Sequence, residues 1–261
     1  MGYATARDAL EQHYDAAFYA DQIPDSMKSA QAVLQVLFDL HKPTSLLDIG
    51  CGQGTWLAVA ERLGVTALTG LDGPWIRKDA LLSKVIDFTA VNMEGDIPIT
   101  RRYDLAMSVE VAEHLSARRA SSIVKALCQA SDVVMFGAAV IGQGGENHIN
   151  EQRQSYWAAL FDQQGYECKD VLRPAVWNTA SVAPWYRQNT LVYVSRQRTD
   201  LLQRFGRAAA QPILDIIHPE MFEKRVATYR NNMIDPTLRM CLSLFKTYLS
   251  NRLRWHASSR P

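Results

Sequence analysis

A glycine-rich turn contains the first residues whose types and spacing indicate chemistry. The segment Leu46–Gly54 reads LLDIGCGQG, in which Asp48 precedes three alternating glycines. Glycines let a backbone pass close to a ligand, and a helix that begins at such a turn offers free N–H groups. Asp48 disfavours a pyrophosphate and favours an ammonium group, and Asp72, at the end of the next apolar segment, is placed to accept both hydroxyls of a ribose. The pattern predicts a nucleoside ligand with a cationic amino-acid part, and S-adenosylmethionine meets that description.

A second group of residues follows the apolar segment YDLAMSV. Glu110, Glu113 and His114 are spaced i, i+3 and i+4, so a helix here would place all three on one face. His148 comes from a later glycine-rich loop, and with it the set offers carboxylates and imidazoles that suit Mg or Mn. We therefore expect a metal site formed by Glu110, Glu113, His114 and His148. The alternative is a site without metal, in which His148 acts as a general base; Glu110 and His148 are the predicted catalytic residues.

Apolar strands that alternate with helices must position these groups. We predict seven strands, in the segments SLLDIG, VTALTGLD, KVIDFTAVNM, YDLAMSV, DVVMFGAAV, YECKDVLRP and NTLVYVSR. Such alternation indicates an α/β fold with a mostly parallel sheet and helices on both faces. Because no clear helix separates the last two strands, one strand is expected to be antiparallel. The predicted organisation is an N-terminal helical segment (1–43), a ligand-binding domain (44–195) and a helical C-terminal extension (196–261).

Residues 44–195 resemble the class I methyltransferases that use S-adenosylmethionine. The glycine turn, Asp72, the pair Asn92-Met93 and the segment YDLAMSVEVAEHL match that family in order and spacing. The resemblance implies a Rossmann-like sheet. The family often has Asp at the position of Asn92, whose amide oxygen still accepts from an adenine amino group. The resemblance implies that the cofactor is bound by Asp48, Gly50, Cys51, Gly52, Gly54, Asp72, Gly73, Asn92, Met93 and Val109.

The acceptor of the methyl group is less constrained by the residues. The Glu-x-x-Glu-His arrangement resembles two metal-dependent groups, the O-methyltransferases of ubiquinone biosynthesis and the small-RNA 3′-terminal 2′-O-methyltransferases. We predict O-methylation of a polar small molecule or a glycan hydroxyl. Trp185 and Tyr186, in a loop after Pro184, and Asn150 are the expected substrate contacts. The alternatives are an RNA 2′-O-methyltransferase, a nicotinamide enzyme, and a Rossmann-like binding protein without catalysis.

The composition is that of an ordinary globular protein, but its charge is unevenly distributed. The 261 residues include 28 Lys and Arg against 27 Asp and Glu, whereas residues 196–261 have 12 against 5. This basic extension is expected to pack on the body or to form a homo-oligomer, and nucleic-acid binding is the less favoured alternative. The four cysteines are isolated, and neither a signal peptide nor a membrane span is visible, so a soluble cytoplasmic protein is predicted.

Overall fold

The structure is a computed structural model that describes residues 16–206 and 213–231, together with residues 238, 241–243, 245, 246 and 248. Two sequence predictions lie outside the described residues. These are the helical character of residues 1–15 and that of residues 207–212, 232–237 and 249–261 in the C-terminal extension.

Within the described residues, seven strands form one sheet in the order β3-β2-β1-β4-β5-β7-β6. Strand β7 is antiparallel to both β5 and β6, and the neighbouring pairs among β1 to β5 are parallel. The predicted α/β fold, a mostly parallel seven-stranded sheet with one antiparallel strand, is therefore confirmed. The strands are β1 (Ser45–Ile49), β2 (Ala67–Asp72), β3 (Ile86–Ala90), β4 (Leu105–Val109), β5 (Val133–Gly137), β6 (Tyr166–Lys169) and β7 (Leu191–Ser195).

Helices cover both faces of this sheet, which explains the continuous apolar runs in the strands. Successive strand residues point to opposite faces, so Leu46 joins a core with Val33 and Leu57, whereas Leu47 joins one with Ile123 and Phe161. The helices are α1 (Ala16–Leu40), α2 (Thr55–Arg62), α3 (Ala120–Ala130), α4 (Gln154–Gln163), α5 (Leu172–Val176), α6 (Pro184–Asn189), α7 (Thr199–Arg204) and α8 (Pro219–Tyr229).

The connection between the last two strands differs from the prediction. Strand β6 ends at Lys169, and the remainder of the predicted strand turns into α5, which begins at Leu172. Pro184 does not lie in a loop but at the start of α6, where a proline loses no helical hydrogen bond. Trp185 and Tyr186 are thus helical residues, and two short helices separate β6 from β7.

The segment after β4 also differs from the prediction, because it is not an α-helix. Glu110 has a φ of 56°, in the left-handed region, and only a single 3₁₀ turn (Ala112–His114) follows. The carbonyl of Glu113 accepts hydrogen bonds from the backbone N–H groups of Ile149 (2.9 Å) and Asn150 (3.0 Å). These bonds tie the segment to a distant loop, so Glu110, Glu113 and His114 do not share a helical face.

The described chain divides into two compact units, one ending at His218 and the other beginning at Pro219. Helix α7 belongs to the first unit, in which Leu201 and Phe205 are buried in the core. Helix α8 belongs to the second unit and has no buried residue. No helix among the described residues combines the length and the hydropathy that a membrane crossing requires.

Candidate active site

The glycine turn joins the carboxyl end of β1 to α2 in a conformation that side chains tolerate poorly. Gly50, Gly52 and Gly54 have φ values of 86°, 53° and 77°. The N–H groups of Gly50 and Cys51 donate to the Leu71 carbonyl (2.7 and 3.2 Å). A Cβ atom on Gly50 would lie 2.6 Å from Cγ1 of Val111 and closer still to its Cγ2. The turn therefore needs glycine for its dihedral angles, and Gly50 also for space.

Two buried carboxyl groups lie beneath this turn. Asp72 accepts from the N–H of Gly52 through Oδ2 (2.7 Å) and from the N–H of Gly73 through Oδ1 (2.6 Å). Burial raises the pKa of Asp72 to about 6, against the opposing effect of these two N–H donors. Burial also raises the pKa of Asp48 well above its usual range, and the charge of Asp72 adds to this. Because a carboxylate oxygen has two lone pairs, Asp72 can still accept from a ligand hydroxyl.

Asn92 and Met93 lie in the turn that follows β3. Asn92 is exposed, and its Oδ1 accepts from the N–H of Glu94 (3.0 Å). The carbonyl of Met93 accepts from Nε of Arg119 (3.3 Å). The structure thus places the pair at the carboxyl end of β3, in an ordered turn. Its contact with an adenine ring stays a prediction.

Trp75 is a residue near this site that sequence reasoning missed. A Cβ atom on Gly73 would overlap the indole ring of Trp75, so that ring lies directly against the glycine next to Asp72. The available signal was position, since Trp75 comes three residues after the carboxylate that ends β2. Two further predicted cofactor residues, Cys51 and Val109, are buried and half-buried at the ends of β1 and β4.

Glu113, His114 and His148 form a cluster at the same edge of the sheet. Each offers a ligand atom, and these atoms all lie within 4.8 Å of one another. Glu113 is fully buried, and among the described residues no well-aligned hydrogen bond reaches its carboxylate oxygens, although the backbone N–H groups of Glu113 and Ala139 are near enough to lower its pKa. The imidazole rings of His114 and His148 meet edge to face, with their centroids 4.9 Å apart. A buried carboxylate with so few donors is costly unless it is protonated or meets a cation.

The pKa values of Glu113 and His114 shift in the directions that burial dictates. Burial raises the pKa of Glu113 well above its usual range, and the charge of Glu110 adds to this. Burial lowers the pKa of His114 to about 4, with a further contribution from His148. The ligand-free site therefore favours a neutral His114, whose imidazole retains a nitrogen lone pair.

Glu110 is the predicted metal ligand that does not belong to the cluster. Its Oε2 accepts from Nε2 of Gln143 (3.0 Å), and its Oε1 accepts from Nδ2 of Asn189 (2.9 Å). Burial raises the pKa of Glu110, against the opposing effect of these two amide donors. The structure thus brings three of the four predicted ligands together and holds the fourth in an amide clamp, which sequence reasoning missed.

The loop that presents His148 is built around another carboxylate, Glu151. Oε1 of Glu151 lies 2.9 Å from Nδ1 of His148 and accepts from the N–H of Gly144 (2.7 Å). Oε2 of Glu151 accepts from the N–H of Gly142 (2.8 Å). Sequence reasoning did not single out Glu151, although a glutamate three residues after His148 in a glycine-rich loop was a visible signal.

The three predicted acceptor contacts have partners within the fold. Asn150 is buried; its amide donates to the Ala112 carbonyl (3.4 Å) and accepts from Gln152 (3.0 Å). Tyr186 is also buried, and its hydroxyl forms a hydrogen bond with Ser26 (3.0 Å). Trp185 is half-buried against the core. These contacts stabilise the fold, and a role toward an acceptor stays a prediction.

Comparisons with known proteins agree with this architecture. Residues 19–135, a little under half of the chain, match the family described as "Methyltransferase domain". No curated protein matches the chain in sequence. The solved structure of the plantazolicin methyltransferase BpumL with a pentazolic desmethylPZN analog and SAH has a TM-score of 0.52 and 14% identity, covering 74% of this chain and 92% of that one.

Two further solved structures are similar at lower TM-scores. The methyltransferase domain of the bacterial CtHen1-C has a TM-score of 0.49 and 17% identity, covering 64% of this chain and 97% of that one. An O-methyltransferase family protein from Burkholderia thailandensis has a TM-score of 0.49 and 15% identity, covering 73% of this chain and 59% of that one. At such identities the structural likeness concerns the fold alone. The match of residues 19–135 to the methyltransferase-domain family supports an enzyme of the methyltransferase class.

Proposed function

We propose that this chain transfers the methyl group of S-adenosylmethionine to a hydroxyl of a polar small molecule or sugar. The observation that carries the proposal is the cluster of Glu113, His114 and His148 next to the glycine turn. Val111 links the two, since its side chain occupies the space that a side chain on Gly50 would need. Side chains able to accept a proton thus lie beside the turn that we expect to bind the methyl donor.

The turn and its two carboxyl groups are suited to this cofactor. Asp48 is buried beneath the turn, where a carboxylate favours the ammonium group of the methionine part. Asp72 is held by two backbone N–H groups and offers its remaining lone pairs to the ribose hydroxyls. In this proposal Asn92 and Met93 contact the adenine edge. The solved structure of BpumL in complex with SAH supports the same class of cofactor.

The chemistry required of the protein is alignment and removal of a proton. The sulfonium is an activated methyl donor, so the enzyme must hold the acceptor oxygen in line with the methyl group. A hydroxyl acceptor must also lose its proton near the transition state. We assign the removal of this proton to His148, which is half-buried at the sheet edge. His148 acts either as the general base itself or as a ligand of a cation that acidifies the hydroxyl.

The residues of the cluster fit a divalent cation. Glu113 supplies a buried carboxylate that no well-aligned hydrogen bond from a described residue reaches, and two imidazoles lie beside it. One carboxylate and two imidazoles suit Mn²⁺ better than Mg²⁺, which prefers oxygen ligands. Glu113, His114 and His148 would hold the ion, whereas Glu110 stays in its amide clamp. When bound, such a cation lowers the pKa of a coordinated hydroxyl.

Cofactor binding is tested by calorimetry with S-adenosylmethionine. We expect Asp72→Ala to weaken binding by about 1–3 kcal/mol, roughly 5- to 150-fold in Kd, because the ribose hydroxyls lose their acceptor. Asp87→Ala, which changes an exposed carboxylate on β3, is the matched control and should bind like the unchanged chain. Equal affinity in both variants would contradict the placement of the ribose at Asp72.

The reaction is tested by a methyl-transfer screen across sugars, nucleotide sugars, phenols and short RNA. We expect turnover of a hydroxyl-bearing small molecule, its loss in chelator and its recovery with Mn²⁺, while cofactor binding persists in chelator. Full turnover in chelator would exclude the metal and leave His148 as the general base. Transfer to RNA alone would overturn the proposed acceptor class.

A further inference from the structure

We propose that Glu151 is a positioning residue that fixes His148 with its proton on Nδ1 and leaves Nε2 without one. This inference rests on the proposed function, in which His148 acts at the cluster with Glu113 and His114. Both roles considered for His148, a metal ligand or a general base, require a nitrogen lone pair. Glu151 determines which nitrogen carries it.

The carboxylate of Glu151 is itself held in place from three sides. Oε1 lies 2.9 Å from Nδ1 of His148 and accepts from the N–H of Gly144, while Oε2 accepts from the N–H of Gly142. The side chains of His148 and Glu151 are only 12% and 19% exposed. Backbone donors rather than mobile side chains thus anchor the acceptor. A carboxylate anchored in this way selects one orientation and one tautomer of the ring.

The other side of the imidazole ring is confined by a glycine. A Cβ atom on Gly145 would lie 2.8 Å from Cδ2 of His148 and closer still to Nε2. Any side chain at this position would displace the ring, so the loop leaves just enough room for it. His114 meets the ring edge to face on the cluster side. The orientation of His148 is therefore determined by both its hydrogen bond and its packing.

The tautomer follows from the donor and acceptor chemistry of imidazole. A neutral ring has one N–H and one lone pair, and a carboxylate can only accept. Nδ1 must therefore donate to Glu151, and in a neutral ring this leaves the lone pair on Nε2. Without Glu151, either tautomer becomes accessible, and the share of molecules with a usable Nε2 falls.

The direct test is the protonation state of His148 in the intact chain. Long-range ¹H–¹⁵N NMR spectra of histidine-labelled protein distinguish the two tautomers, and His148→Gln assigns the signal among the six histidines. We expect an unprotonated Nε2 in the unchanged chain, and a shift toward a mixture in Glu151→Ala. Glu151→Gln keeps an acceptor for Nδ1 and Gly144 and loses only the bond from Gly142, so it should retain the original tautomer. A neutral ring with its proton on Nε2 in the unchanged chain, or the same spectrum in Glu151→Ala, would overturn the proposal.

Kinetics provide the second readout. We expect kcat to fall roughly 10- to 100-fold in Glu151→Ala, with the Kd for S-adenosylmethionine unchanged, and to recover largely in Glu151→Gln. Glu61→Gln, which changes a half-buried glutamate at the far end of α2, controls for loss of a charge. A fall in cofactor affinity equal to that in kcat would indicate a merely structural role and overturn the inference. Failure of the proposed function is distinguishable, because the chain would then not bind S-adenosylmethionine whatever tautomer His148 adopts.

Discussion

Gly50 provides a sharp test of how the glycine turn is built. In Gly50→Ala the new Cβ would meet Val111 at 2.6 and 3.0 Å, with Cγ2 closer still, at a φ of 86°. A left-handed conformation costs a non-glycine residue roughly 1–2 kcal/mol. Overpacking in a filled site adds about 1–3 kcal/mol. We therefore expect the free energy of unfolding to fall by roughly 2–5 kcal/mol.

The assay is urea unfolding, with a control that separates the two contributions. Gly165 has a φ of 80° and nothing within 4 Å of an added Cβ, so Gly165→Ala should cost only the roughly 1–2 kcal/mol of the backbone conformation. The double variant Gly50→Ala/Val111→Ala should cost less than the sum of its single changes, because truncating the valine gives the new methyl group room. If Gly50→Ala costs no more than Gly165→Ala, the packing of Val111 on the turn is wrong.

Two further predictions concern buried polar groups. Burial raises the pKa of Asp72 from 3.8 to about 6, so the folded state holds its proton more tightly than the unfolded chain does. As the pH rises through this interval, the free energy of unfolding of the ligand-free chain should fall by roughly 3 kcal/mol relative to that of Asp72→Asn. Urea unfolding at a series of pH values measures both free energies. If they change in parallel with pH, the raised pKa of Asp72 is refuted. The buried hydroxyl of Tyr166 lies 2.8 Å from the carbonyl oxygen of Cys128 and 2.7 Å from that of Ser131, and it shares its one proton between them. Tyr166→Phe should therefore lose about 1–3 kcal/mol in the same assay, whereas the half-buried Tyr156→Phe should lose little.

The strands and the glycine turn were predictable because their signals are local. An apolar run that ends in Asp48 and alternating glycines needs no distant partner to be recognised, and β1 ends where the pattern indicated. The segment after β4 was not predictable in the same way. Its spacing fits a helix, but the backbone N–H groups of Ile149 and Asn150 bind the Glu113 carbonyl from a loop far along the chain. The spacing of residues within one segment carries no information about such nonlocal hydrogen bonds.

The candidate site shows the same division between local and nonlocal information. Metal-ligand spacing pointed to Glu113, His114 and His148, which the structure brings together. Glu110 shares the motif, yet its carboxylate is bound by Gln143 and Asn189, which come from two other connections of the sheet. Whether amide groups bind a given glutamate depends on contacts among three segments that are far apart in the chain. The sequence around Glu110 and Glu113 alone could therefore not show that the amides bind Glu110.

The place of β7 in the sheet has a consequence for how the chain is made. Because β7 lies between β5 and β6, neither of these strands gains its last neighbour until residue 195 has been synthesised. A chain emerging from the ribosome can build the glycine turn and the parallel half of the sheet early, while β5 still presents an open edge. Open edges invite pairing with other chains. Premature termination before Leu191 should therefore yield an aggregation-prone fragment even though nearly every residue of the candidate site is present.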